Sequence, residues 1–287
     1  MSYLKAASVD EALAFLADSR GCARIIAGGT DLYLQGMPER ALDITGIPET
    51  KAIEEKEGLI ILGSAVTHSE VAASPLVQEK ALALAEACSL VGSPQVRNIG
   101  TLGGNVITAA PAADAAVALV ALGAKAFFAG IQGDTGEFEV EKLYESFNLT
   151  RVDCSREVMI RLVFKACGEN EGSAFERFAS RRALALPIVN AAARVKISNG
   201  VFQDVRLVLA PVKPAPTRLL EVEAMLKGAP VGEDTYTRIE KTAVSEVEVR
   251  SSLLRCTAQY RSHLVGVLAA RVIRRAAKAA LDRKRGA

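Results

Sequence analysis

Asn98-Ile99-Gly100-Thr101-Leu102-Gly103-Gly104-Asn105 and, earlier, Ala27-Gly28-Gly29-Thr30-Asp31-Leu32 are the stretches on which the reading of this chain turns. Each sets paired glycines beside hydroxyl or amide side chains. Glycine lets the backbone take positive φ and approach a ligand with no Cβ in the way. Successive N–H groups in such a turn form an anion-binding concavity. Thr30, Thr101 and Asn105 would add side-chain donors, so the two turns together suit a pyrophosphate gripped from both sides. Neither turn has the G-x-G-x-x-G spacing of a nicotinamide Rossmann domain or the G-x-x-x-x-G-K-[ST] spacing of a P-loop.

Outward from these turns, the N-terminal half alternates helix and strand signals. Ser8-Val9-Asp10-Glu11 has capping-box spacing ahead of the apolar Leu13, Phe15 and Leu16. Apolar runs at 23–27, 41–44 and 59–62 read as strands, 74–91 as one helix, and 157–165 as a further strand. The polar, glycine-bounded segment 168–173 marks a domain boundary. Beyond it, Asn199-Gly200 lies between two β-rich runs, the strongest short hairpin signal. Helical segments are then expected to begin near Thr217, Asp234 and Ser252. The pattern leaves the N-terminal half as α/β or α+β and divides the chain into one domain at 1–170 and a second at 171–287.

Bulk properties exclude several classes. The chain has 287 residues, 50% hydrophobic and 24% charged, which supplies ample core material. A net charge of +2 gives no electrostatic case for nucleic acid. The basic residues between Arg271 and Arg285 read as a solvated helix face. No run approaches the roughly 18 apolar residues of a membrane span, and nothing at the N-terminus reads as a secretory signal, so a cytoplasmic protein is expected. Five dispersed cysteines read as reduced thiols rather than a disulfide framework or a cluster site, and two histidines are too few for an imidazole-rich metal centre.

The two glycine turns resemble the FAD-binding signatures of the xanthine dehydrogenase family of molybdenum hydroxylases. The resemblance is to its flavoprotein, the medium subunit of carbon monoxide dehydrogenase and related enzymes or the middle segment of single-chain xanthine oxidoreductases. It continues through Val66-Thr67-His68-Ser69-Glu70, Ala110-Pro111-Ala112-Ala113-Asp114, Phe175-Glu176-Arg177-Phe178, Ser180-Arg181-Arg182 and Val249-Arg250-Ser251. It implies an α+β chain with a two-lobed FAD domain of the vanillyl-alcohol oxidase type, its two α/β lobes divided near residue 55, followed by a small antiparallel sheet packed with helices.

By that resemblance Ile25, Ile26, Ala27, Gly28, Gly29, Thr30, Asp31 and Leu32 wrap one side of the FAD pyrophosphate. Thr101, Leu102, Gly103, Gly104 and Asn105 hold the other side. Asp114 matches an acidic flavin ligand that accepts from a ribityl or ribose hydroxyl, although alone it would read as a surface or capping carboxylate. Val91 reads either as a cofactor contact or as ordinary core. Around the isoalloxazine the resemblance adds Met159 or Ile160, Leu186 and Arg177. Arg177 stands where single-chain xanthine enzymes carry Lys. It reads either as a cation near the flavin N1–C2=O edge or as a solvent-facing charge.

No catalytic acid, base or metal ligand is expected on this chain. The resemblance places molybdopterin on a large partner and [2Fe–2S] clusters on a small one, in a dimer of heterotrimers. Electrons would pass from the clusters through FAD to an external acceptor. The absence of a four-cysteine insert argues against the branch resembling 4-hydroxybenzoyl-CoA reductase. The alternatives are a self-sufficient flavin reductase of the UDP-N-acetylenolpyruvylglucosamine reductase type and a scaffold without flavin.

Overall fold

Short apolar runs separated by glycine-rich turns build three sheets and a ribbon in the computed structural model, which describes residues 2–286 apart from Met37, Arg182 and residues 253–255. Arg182, part of the resemblance above, therefore lies outside the described residues. The first sheet is parallel, in the order β1 (Ser2–Lys5), β3 (Arg40–Asp43), β2 (Ala23–Ile26). Its crossover helix α1 (Val9–Asp18) starts at Ser8, whose hydroxyl accepts from the Glu11 amide. Leu16, Leu42, Ile44, Ile47 and Val158 form the core of this lobe.

The second sheet is antiparallel, in the order β4 (Ile53–Lys56), β5 (Leu59–Gly63), β10 (Glu157–Lys165), β6 (Lys125–Gly130), β7 (Thr135–Glu139). Helices α3 (His68–Ala73), α4 (Pro75–Lys80), α5 (Leu82–Leu90), α6 (Pro94–Ile99), α7 (Leu102–Thr108) and α8 (Asp114–Leu122) belong to the same lobe. The expected single helix at 74–91 is two, because Ala81 leaves the helical region at φ −150°, ψ 51°. Every residue of α8 is buried, which fits its unbroken apolar sequence. A small ribbon, β8 (Tyr144–Ser146) with β9 (Leu149–Thr150), completes this half.

The third sheet runs β11 (Glu171–Phe178), β12 (Val189–Ser198), β13 (Val201–Ala210), β14 (Thr217–Arg218), antiparallel throughout. Asn199 and Gly200 turn the central hairpin at φ 52° and 76°, the pair of positive values that this tight turn demands. The segment at Thr217 is a strand edge rather than a helix start, and helix α9 (Leu220–Leu226) follows it. Helix α10 (Glu233–Glu246) and the 29-residue α11 (Ala258–Gly286) cover the sheet. The last helix begins at Ala258, later than the expected Ser252.

The basic stretch on α11 is not simply a solvated face. Arg275 donates to the Phe175 carbonyl at 2.7 Å and to Glu176 at 3.0 Å, and also pairs with Glu86 on α5. Arg283 donates to the carbonyls of Cys167 at 3.2 Å and Glu171 at 3.0 Å. These bonds tie the C-terminal helix to the N-terminal half. Among the described residues, no helix is long and apolar enough to cross a membrane.

Candidate functional site

Between the lobes lies a cavity of about 640 Å³, within the range of ligand sites. Both glycine-rich segments line it. Strand β2 delivers Ile25 and Ile26 to its edge, and the chain then turns through Gly28 and Gly29 into the single helical turn α2 (Leu32–Gln35). Gly29 takes φ +68°, so this turn does use glycine's left-handed freedom. Among the described residues, the amides of Gly28, Gly29, Thr30, Asp31 and Leu32 find no protein acceptor. Five successive unpaired donors along a cavity wall make a strong anion cradle.

The second segment behaves differently. Thr101 is the N-cap of α7, and its hydroxyl accepts from the Gly104 amide at 3.2 Å. Leu102 donates to the Val66 carbonyl at 2.9 Å, and Gly103 to that of Ser64 at 2.8 Å. The backbone donors expected to form a second nest are therefore spent inside the protein. Nor does this segment need positive φ. A Cβ on Gly103 would stand 2.7 Å from the Ser64 carbonyl oxygen, so that glycine serves close packing. Gly104 is exposed to the cavity, and a Cβ there would meet only the Thr101 hydroxyl at 2.9 Å. Gly104 and Asn105 are thus the surfaces this helix offers. The Asn105 Oδ1 atom is buried and has no protein partner.

The two segments pack on each other. A Cβ on Gly28 would run into the Ile99 carbonyl and the Gly100 Cα. The Thr108 hydroxyl, on α7, reaches Asp31 at 3.2 Å. Every candidate from the sequence lines the cavity except Leu102, which is fully buried in the core beneath, and Ile160, which packs on the first lobe. A bulge interrupts the pairing of β10 with β6 at Ile160, and there Met159 joins the core of the second lobe while Ile160 packs on the first.

The cavity wall also carries Val91, Gly92, Met159, Leu186, Asp114 and Arg177. Arg177 donates to Asp114 Oδ2 at 2.9 Å and to the Leu90 carbonyl at 2.6 Å, with its side chain only 6% exposed. The expectation of a solvent-facing charge is corrected. Asn190, on β12, donates to Asp114 Oδ1 at 2.6 Å. Burial pushes the Asp114 carboxyl up to about 6, against the opposing pull of Arg177 and Asn190. The more polar Arg24, Gln35, Cys154 and Glu157 line it too, with Arg24 donating to Gln35 at 3.1 Å.

Sequence reasoning missed Ser64, His68, Thr108 and Asn190. Ser64 and His68 follow the end of β5, and although His68 lies in the Val66–Glu70 stretch of the resemblance, nothing in that stretch points it to a cavity. Asn190 reaches the site only because β12 pairs with β11. The thiols are free. No group of three or more His, Cys, Asp or Glu could hold a metal among the described residues.

The site accommodates FAD by its own chemistry. It offers a run of free amides for a pyrophosphate, an orphaned amide oxygen on Asn105, apolar lining at Val91, Met159 and Leu186, and a buried charged pair on the same cavity wall.

Residues 1–164 match the family model described as the FAD binding domain in molybdopterin dehydrogenase. Residues 174–276 match that of the CO dehydrogenase flavoprotein C-terminal domain. The chain is 29% identical to the xanthine dehydrogenase FAD-binding subunit of Escherichia coli O157:H7, over 97% of each chain. It is 27% identical to the carbon monoxide dehydrogenase medium chain of Hydrogenophaga pseudoflava, over 93% of each. The solved carbon monoxide dehydrogenase of Hydrogenophaga pseudoflava superposes with a TM-score of 0.89 at 27% identity, covering 99% of this chain and 98% of that one. Quinoline 2-oxidoreductase from Pseudomonas putida 86 gives 0.88 at 26%, with the same coverage.

Proposed function

The chain belongs to the family of FAD-binding subunits of molybdenum-containing dehydrogenases, and from that premise we propose how its residues divide the work of holding the flavin. It is the flavoprotein part of a multi-subunit oxidoreductase, in which organic substrate is oxidised on another chain. Its fold is the two-lobed FAD domain followed by the sheet-and-helix domain. The self-sufficient reductase and the flavin-free scaffold find no support in these relationships.

The amides of residues 28–32 hold the pyrophosphate, because they are the donors the protein leaves free. That observation carries the reading. Gly104 and Asn105 meet the dinucleotide from the other side. Val91, Met159 and Leu186 form the apolar bed of the isoalloxazine. Asp114 and Arg177 stand beside it as a neutralised pair, so the ring meets a fixed dipole more than a bare cation. When bound, FAD supplies the ability to collect single electrons and deliver pairs. This chain's residues bind, orient and electrostatically tune that group, with no proton transfer of their own required.

The partners in this reading are a large molybdopterin subunit and a small [2Fe–2S] subunit in a dimer of heterotrimers, with an external acceptor at the flavin. The domain division is at residue 170. Five free thiols suit the reducing cytoplasm.

The test is a titration of the flavin-stripped chain with FAD and with FMN. FMN lacks the second phosphate and the adenosine, so it should bind far more weakly. Equal affinity would remove the role given to residues 28–32. In reconstitution, substrate-driven bleaching of the flavin should require the molybdenum and iron–sulfur subunits.

A further inference from the structure

His68 is 2% exposed and lines the cavity, yet among the described residues its ring Nδ1 has no hydrogen-bond partner. Its Nδ1 has no access to solvent either. Buried polar atoms are normally paired, so an imidazole left this way beside a ligand cavity calls for an explanation.

Its placement is well determined. His68 is the first residue of α3, after the Thr67 N-cap, where a complete capping box with Glu70 pins the turn. The His68 amide donates to the Gly100 carbonyl at 3.0 Å, and Thr67 bridges to Thr101. The ring Cδ2 and the Thr30 hydroxyl lie 3.5 and 3.6 Å from where a Cβ on Gly100 would stand. The imidazole and Thr30 therefore flank the point where the two glycine-rich segments converge, beside the free amides of residues 28–32.

We propose that the His68 ring donates a hydrogen bond to the pyrophosphate of the bound dinucleotide, completing the anion cradle from the α3 side. This rests on the FAD reading above. Burial, and secondarily the nearby charge of Arg97, hold the imidazole down to about 4. At neutral pH it is uncharged, with one N–H to give. The cradle thus gains a donor without adding a buried cation.

The experiment uses the full chain stripped of flavin, with FAD, ADP and riboflavin as probes. His68→Leu keeps bulk but removes the N–H, and should weaken FAD and ADP about tenfold to a hundredfold, as for a hydrogen bond to a charged group. Riboflavin, which has no phosphate, should bind unchanged. His68→Asn or His68→Gln restores an amide N–H near Nδ1 or Nε2, and one of them should recover most of the affinity. Should His68→Leu fail to fold, ¹⁵N-histidine spectra of the wild-type chain decide. There are two histidines, and His263 lies exposed on α11, so only the His68 ring signals should move when ADP is added. Binding of FAD and ADP with unmoved His68 signals, or with equal losses for riboflavin and FAD in His68→Leu, would overturn the assignment alone. If the wild-type chain bound neither FAD nor ADP, the reading of the cavity would fall, and this assignment with it.

Discussion

Arg177 closes an ion pair on Asp114 at 2.9 Å, joining the first strand of the C-terminal sheet to the buried helix α8, and both side chains are 6% exposed. Asn190 occupies the other carboxylate oxygen, so Asp114 is held from two strands of the second domain. Both matched regions therefore contribute to the cavity wall, Asp114 from one and Arg177 from the other.

Breaking that pair leaves a buried charge without its partner, which typically costs about 3–5 kcal/mol. Arg177→Met should lose stability of that order at pH 8. The folded Asp114 carboxyl, at about 6, lies above its ordinary 3.8, so folding favours its protonated form. Its contribution to stability is greatest below 3.8 and declines as pH rises through 6. The loss in Arg177→Met should accordingly shrink at pH 5, where the stranded carboxyl takes up a proton. Urea unfolding at the two pH values checks this; an equal loss at both would show that the carboxyl is not its source.

Two glycine substitutions should separate folding from binding. Gly28→Ala drives a Cβ into the Ile99 carbonyl, so the packed turns must part. Overpacking of this kind costs about 1–3 kcal/mol, and flavin retention should fall with it. Gly104→Ala sits in a helix and meets only a hydroxyl. It should keep or slightly raise thermal stability while weakening FAD, because its methyl enters the cavity. A Gly104→Ala protein with undiminished FAD affinity would place the cofactor elsewhere.

Gly172 on β11 touches the backbone of α11, and a Cβ there would lie 2.5 Å from the Ala280 nitrogen. Gly172→Val should lift the C-terminal helix from the sheet, with a loss of at least about 2 kcal/mol. Hydrogen exchange should localise the opening to α11 and β11. Protection lost elsewhere but retained at these two elements would contradict the proposed contact.

His68 also predicts acid sensitivity. Its folded value of about 4 lies below the ordinary 6.5, so folding favours the neutral ring. The stability this brings is complete above 6.5 and is lost as pH falls toward 4, by on the order of 3 kcal/mol. His68→Gln should flatten the stability profile across that window relative to wild type. Parallel profiles would mean that the ring is protonated freely in the folded chain.

Several elements were legible because their signals are local. Ser8 and Glu11 begin α1, Asn199-Gly200 turns the hairpin, and the Gly28-Gly29 turn bends to place free amides on a cavity. Others were misread for equally local reasons. The apolar pattern at 74–91 continues past Ala81 although the backbone breaks there, and Thr217 pairs with Leu209 of β13 before α9 begins at Leu220. In the second glycine segment the motif was visible but its use was not. Whether an amide is free depends on which carbonyls come near it, and here Val66 and Ser64 take them.

The sequence by itself determined the family, the cofactor class and the two glycine-rich segments that line the cavity, because glycine placement and N-cap chemistry act over a few residues. Tertiary structure alone decided that Arg177 is paired rather than exposed, that Asn190 holds Asp114, that His68 lines the cavity, and that Leu102 and Ile160 do not. Those outcomes depend on strand pairing and on burial. Both are set by contacts between residues distant in the chain, where a side chain's charge and hydrogen bonding follow from its neighbours in space.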